Sequence, residues 1–146
     1  MQLTKNISLS ELTASNIAER KGIKNQPNDV QLINLRRLSK TLQEVRDLFN
    51  APLIISSGFR CKQLNDAVGS KDSSFHIKGC ACDFTISGWR DKIRETVIKI
   101  KDSPIVFDQL ICEYDSWVHL SITNVAMDKP RRNVLTINKS GTSFFS

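Results

Sequence analysis

An α+β domain with a largely antiparallel sheet packed against helices is what this sequence predicts, and three observations predict it. Apolar residues recur near the 3.6-residue period from Val30 to Phe49. The elements then run helix, helix, strand, helix, strand, helix before several strands in succession. Those last strands are joined by short polar turns of hairpin length. With 146 residues the chain suits a single domain, 1–146, that buries a sizeable core.

In order, Ser8-Leu9-Ser10-Glu11 is a capping box that predicts a short helix through about Arg20, stopped by Gly22. The turn cluster Asn25-Gln26-Pro27-Asn28 precedes the longest helix. Its apolar stripe is Val30, Ile33, Leu35, Leu38, Leu42, Val45, Leu48 and Phe49, a scaffold face that packs across a sheet. Pro52 to Ser56 is a β-branched run and hence a strand, after which Ser57-Gly58 turns the chain and leaves Arg60 at a strand end. Cys61 to Val68 reads as helical, ended by Gly69-Ser70, and a polar loop from Lys71 to Ser74 leads to His76.

Gly79 permits a tight bend before the strand Ala81 to Ile86, which carries Ala81, Asp83 and Thr85 on one face and Cys80, Cys82 and Phe84 on the other. Trp89 to Lys101 reads as a second amphipathic helix with Ile93, Val97, Ile98 and Ile100 on its inner side, closed by Asp102-Ser103-Pro104. Phe107 to Glu113 and Trp117 to Thr123 form a hairpin across Tyr114-Asp115-Ser116. A second hairpin joins Asn133 to Ile137 and Thr142 to Phe145 around Asn138-Lys139-Ser140-Gly141.

Composition excludes several classes. At 40% hydrophobic and 25% charged, with six glycines and four prolines, the chain is neither disordered nor fibrous. No apolar run approaches the roughly 18 residues of a membrane helix, so no membrane insertion is expected. The start, MQLTKNISLSEL, has no basic segment followed by an apolar core, and the protein is expected in the cytoplasm until something releases it. A net charge of +6, dispersed along the chain, favours an anionic partner. Nucleic acid is disfavoured, because there is no basic helix and no aromatic-basic platform. The four cysteines are too few and too irregular for a disulfide scaffold and are read as reduced, mostly buried thiols.

The chemistry-bearing residues converge on a metal. His76, Asp83 and His119 make a two-histidine, one-carboxylate set of the kind that holds a catalytic zinc with one position left for water. Glu113, six residues before His119 across the hairpin, is placed to face the same cleft as a proton carrier, and Arg60 can hold a substrate carboxylate through its planar fork. Two histidines can equally be structural. A closed site from His76, Cys80, Cys82 and Cys112 is a rival, opposed by the Cys-x-Cys spacing and by thiols on the strand face away from Asp83.

Read whole, Ser74 to Asp83 matches S-x-H-x-x-G-x-A-x-D, with Ser57-Gly58-Phe59-Arg60 upstream and Trp117-Val118-His119 downstream. Over roughly Leu9 to Thr123 the chain resembles the zinc D-alanyl-D-alanine carboxypeptidase and L-alanyl-D-glutamate peptidase family, which has a hedgehog-like fold and includes phage endolysins. The resemblance implies that His76, Asp83 and His119 ligate zinc, Arg60 binds substrate and Ser74 positions substrate or a ligand. Many members carry an acid three residues before the second histidine, where this chain has Ser116; hedgehog-like relatives place a glutamate six before it, which matches Glu113, with Asp115 as the fallback base. The implied activity is hydrolysis of an amide bond in the peptide stem of peptidoglycan by a monomer, released from the host cytoplasm as a phage or prophage lysin or carried on a virion. A non-catalytic zinc-containing binding module of the same fold is the alternative.

Overall fold

In the computed structural model, which describes residues 1–146, the predicted first helix is two. Ser8 caps α1 (Leu9–Thr13) through the expected capping box with Glu11. Ala14 is extended, and Ser15 opens α2 (Asn16–Lys21) by accepting from the Ala18 N–H. A second good N-cap thus splits a stretch whose composition is helical throughout. Gly22 closes α2 in the left-handed region, as expected.

Asn28 and Gln31 form the capping box of α3 (Asp29–Phe49), and Leu35, Leu38, Leu42, Val45 and Phe49 are buried along it. Val30 and Ile33 are not: they are 69% and 60% exposed, and Asn34 and Ser39 take inward positions instead. Asn34 is satisfied there, donating to the Lys78 carbonyl at 3.0 Å and to Asn124 Oδ1 at 3.1 Å, while Arg37 donates to its Oδ1 at 2.9 Å. A polar residue replaces an apolar one at the point where the helix meets a loop whose backbone needs donors.

The remaining elements are β1 (Leu53–Ser57), α4 (Lys62–Ala67), β2 (Ala81–Ile86), α5 (Ile93–Lys101), β3 (Gln109–Glu113), β4 (Trp117–Ser121), β5 (Asn133–Asn138) and β6 (Gly141–Phe144). Helix α5 begins four residues later than the pattern suggests. Trp89 to Lys92 is a turn, with the Trp89 ring edge-on to Phe49 at 5.0 Å between centroids. Within α5, Ile98 is exposed and Thr96 is buried, so that part of the expected inner face is also corrected.

One six-stranded sheet runs β1-β2-β4-β3-β5-β6. All pairs are antiparallel except β3–β5, a parallel pair that hairpin signals could not announce. Alternation puts Cys82, Phe84, Val118, Leu120, Leu110 and Cys112 on the face covered by the helices, where they join Leu35, Leu38, Leu42, Val97 and Ile100 in the core. The opposite face of the central strands carries Asp83, His119, Ile111 and Glu113. No helix is long and apolar enough to cross a membrane.

Candidate functional site

Strand register brings the first residues together. Asp83 lies opposite His119, which lies opposite Ile111 on its other side, while Glu113 sits two residues beyond Ile111 and opposite Trp117. Residues an even number apart share a face, so Asp83, His119 and Glu113 project the same way from three neighbouring strands.

His76 arrives from a loop that is held at several points. Gly79 has φ +76°, and a Cβ there would stand 2.7 Å from the Gln31 carbonyl oxygen, so the bend needs glycine for both conformation and space. Gln31 Nε2 donates to the Ile77 carbonyl at 3.0 Å, and the Asn34 amide holds the Lys78 carbonyl, pinning the loop to α3. The His76 ring is oriented by the Gly58 carbonyl, 2.7 Å from Nδ1. Since a carbonyl only accepts, Nδ1 carries a proton, and Nε2 is the nitrogen that faces Asp83 and the site. Gly58 itself packs so closely on the Leu12 carbonyl that no side chain fits, and the Phe59 N–H donates to that carbonyl at 2.6 Å. The small helix α1 therefore sets the position of the atom that orients His76.

His76 Nε2 lies 3.4 Å from Asp83 Oδ2, and His119 Nδ1 lies 2.8 Å from Asp83 Oδ1. One donor atom from each of the three residues falls within 4.8 Å of the others. Ligand atoms bound at about 2.0–2.2 Å around one tetrahedral zinc stand roughly 3.3–3.6 Å apart; the donor set fits that ion and the His76–Asp83 pair stands at that spacing, while His119 is drawn onto Asp83 by a hydrogen bond that an ion would replace. The carbonyl behind His76 is the outer partner that ligating histidines usually have. Glu113 Oε1 is 4.0 Å from His119 Nδ1, beside the three donors and not among them.

The two carboxylates are tuned in opposite directions. Burial by itself would raise the Asp83 carboxyl, but hydrogen bonds and charge from His119 and His76 outweigh it and hold it well below the usual carboxylate range. Glu113 is pushed above its ordinary value by burial first and by the Asp83 charge second, against smaller opposing effects of His119, Trp117 and Arg60. Trp117 Nε1 is buried and makes no hydrogen bond of ordinary geometry within the chain, yet it is near enough to Glu113 to favour its ionised form.

These groups line an open cleft of about 890 Å³, to which Arg60 and Ser74 also contribute. Arg60 is steadied by Ser57 Oγ and Asn65 Oδ1, each 3.3 Å away, and Ser74 Oγ accepts from the His76 N–H at 3.2 Å. Asp115 is not brought to the cleft. It follows Tyr114 in a turn where both residues have positive φ, and its Oδ1 accepts from the Cys112 thiol at 3.4 Å. Nor do the cysteines gather around His76: Cys80, Cys82 and Cys112 are buried, all four are free, and burial pushes the Cys80 and Cys112 thiols up to about 11. Local spacing did not reveal the Gly58 carbonyl, which is backbone, or Arg131 and Ile137, which reach the cleft wall only through the β3–β5 pairing.

No curated protein matches the chain. The family model described as peptidase M15 does match it, over residues 5–121, a span that contains Arg60, Ser74, His76, Asp83, Glu113 and His119. The match covers four-fifths of the sequence, and the chain belongs to the peptidase M15 family.

Proposed function

We propose that this chain is a zinc-dependent peptidase that hydrolyses an amide bond in the peptide stem of bacterial peptidoglycan, of the D-Ala-D-Ala carboxypeptidase or L-Ala-D-Glu endopeptidase type. The family is zinc-dependent, and the observation that carries the reading is the gathering of His76, Asp83 and His119 beside Glu113 in one cleft. His76 through Nε2, Asp83 through its carboxylate and His119 through Nδ1 would hold the ion. Zinc, when bound, supplies the Lewis acidity that polarises an amide carbonyl and makes water a nucleophile near neutral pH.

Around that ion the chain's own groups move the proton and place the peptide. Glu113, with its raised affinity for a proton, takes one from the attacking water and returns it to the leaving amine. Arg60 offers its guanidinium fork to a substrate carboxylate, and Ser74, bonded to the His76 backbone, helps position substrate. The net charge of +6 suits an anionic wall. Residues 1–146 act as one domain, as a monomer without a nucleic-acid partner, and the setting that fits these features is a phage or prophage lysin released from the host cytoplasm to the wall, or a virion-associated enzyme.

Ser116, where many members carry an acid, favours a second reading, a non-catalytic zinc-containing binding module. Digestion of purified sacculi by wild type, Glu113→Gln and His119→Ala separates the two. Soluble stem fragments from wild type alone, with zinc retained by Glu113→Gln and lost from His119→Ala, are expected, and fragment masses name the bond. A zinc-loaded wild type that releases nothing would establish the binding module.

A further inference from the structure

The family match stops at residue 121, yet residues beyond it line the cleft. Arg131 is one, standing ahead of β5 and shared between the cleft and a groove that continues past Phe75 to Lys78 and Lys129. Its guanidinium is clamped from one side. Nε donates to Asp108 Oδ1 and Oδ2 at 3.1 and 3.3 Å, Nη2 donates to Oδ2 at 2.6 Å, and the Arg131 backbone N–H donates to Oδ1 at 2.9 Å. Asp108 is only 3% exposed, whereas the Arg131 side chain is 51% exposed and Nη1 donates to nothing in the chain. A buried carboxylate thus orders the arginine while an outward edge of its fork stays available, an arrangement pre-organised for a second planar anion.

Asp108 offsets the charge of Arg131, so attraction over distance must come from its neighbours. Lys78 and Lys129 line the same groove against Asp108 and Asp128, and Lys78 is steadied with Nζ 4.6 Å from the Phe75 ring centroid. Arg60 follows β1 and Arg131 leads into β5, so their backbones stand on either side of β2, β4 and β3, which carry Asp83, His119 and Glu113. Four inter-strand spacings, about 19 Å, bound the separation of the two backbones, and both side chains reach inward, Arg60 toward Asp83 and Glu113 and Arg131 to Asp108 ahead of β3, so an extended peptide of at most about five or six residues spans them.

We propose that Arg131 is a specificity-determining residue that reads a second carboxylate of an extended acidic peptide, on the opposite flank of the cleft from Arg60. The inference rests on the peptidase reading of that cleft, and its test separates the two.

Acetylated and amidated six-residue peptides of alternating L and D residues carry Glu at both ends, or Gln at one end or the other. Their affinities are measured by calorimetry on zinc-loaded Glu113→Gln, on Glu113→Gln with Arg131→Gln, and on Glu113→Gln with Asp108→Asn and Arg131→Gln. The last variant removes both partners and leaves no buried charge unpaired, so it folds where Arg131→Gln alone fails. One of the two Glu→Gln changes is expected to weaken binding about tenfold when Arg131 is present and to cost nothing further when it is absent, the scale of one charge-assisted hydrogen bond. A folded variant lacking Arg131 that still discriminates as before overturns the proposal, as does failure of the diacidic peptide to bind the zinc-loaded protein. Sacculus digestion by wild type in parallel decides the peptidase reading by itself.

Discussion

Asp83 and Glu113 project from the same sheet face, on the strands either side of β4, and both approach the same histidine. Their surroundings nevertheless give them opposite chemistry. Asp83 stands between two imidazoles at 2.8 and 3.4 Å and is kept ionised despite burial. Glu113 stands 4.0 Å from one of them, and burial first and the Asp83 charge second, against the pull of His119, make it hold its proton more readily than an ordinary glutamate. Two carboxylates whose affinities for a proton are driven apart take different parts, the first suited to ligate a cation and the second to carry a proton.

The hardest break of that comparison is Asp83→Ala. It removes a donor from the cation site, and the expected result is loss of stoichiometric zinc after dialysis together with a fall in hydrolysis of at least about 10³-fold, more than the 10–100-fold of a lost outer-shell partner. Glu113→Gln should keep the zinc and lose about 10²–10⁴-fold in rate. The pH profile sharpens the same point. Glu113 must be ionised to accept a proton, so activity is expected to fall as pH drops through its titration in the zinc-loaded enzyme; an acidic limb that persists unchanged in the residual activity of Glu113→Gln would remove Glu113 from the role.

Thermal unfolding with the metal chelated gives a smaller effect with opposite signs at the two sites. The folded-state pKa of Asp83 is depressed, so its contribution is present above the unfolded value and lost as pH falls; Asp83→Asn should lower the unfolding midpoint at neutral pH. Glu113 is raised, so its ionised form disfavours the folded state, and Glu113→Gln should raise the midpoint. A shift in the same direction for both variants would dissolve the contrast.

Gly58→Ala tests the support behind the site. A Cβ there meets the Leu12 backbone, and displacing the Gly58 carbonyl frees the His76 ring; zinc affinity is expected to fall about 10–100-fold, read by competition with a chelating dye. The smallest effect belongs to Asp115→Asn. Its carboxylate is bonded to the Cys112 thiol outside the cleft, and activity should change by less than about twofold, since surface changes away from a site are usually near neutral. A loss approaching that of Glu113→Gln would reverse the assignment of the base.

Much of the scaffold was legible locally. The period of α3, the alternation of β2 and the two hairpin turns are short-range signals, and caps at Ser8 and Gly22 sit where the residue types place them. The errors arose where tertiary contacts override a pattern: Ile33 and Ile98 match a helical stripe yet face solvent, and Asn34 is inward because a loop carbonyl needs its amide. At the site, His76, Asp83 and His119 were readable because each lies in a motif of distinctive residue types, whereas the Gly58 carbonyl has no side chain to be noticed and is recruited by proximity alone.

By itself, then, the sequence determined α3, α4 and most of α5, the strands, the two hairpins and the residue types available for a cation. Only the tertiary structure decided that Asp83 pairs with His119, that Glu113 and not Asp115 faces them, and that Arg131 reaches the same cleft through a parallel pairing of β5 with β3. The reason is physical. Local spacing sets which residues share a face of one element, but partners and register between elements are chosen by the burial of whole faces, which involves residues far apart in the chain.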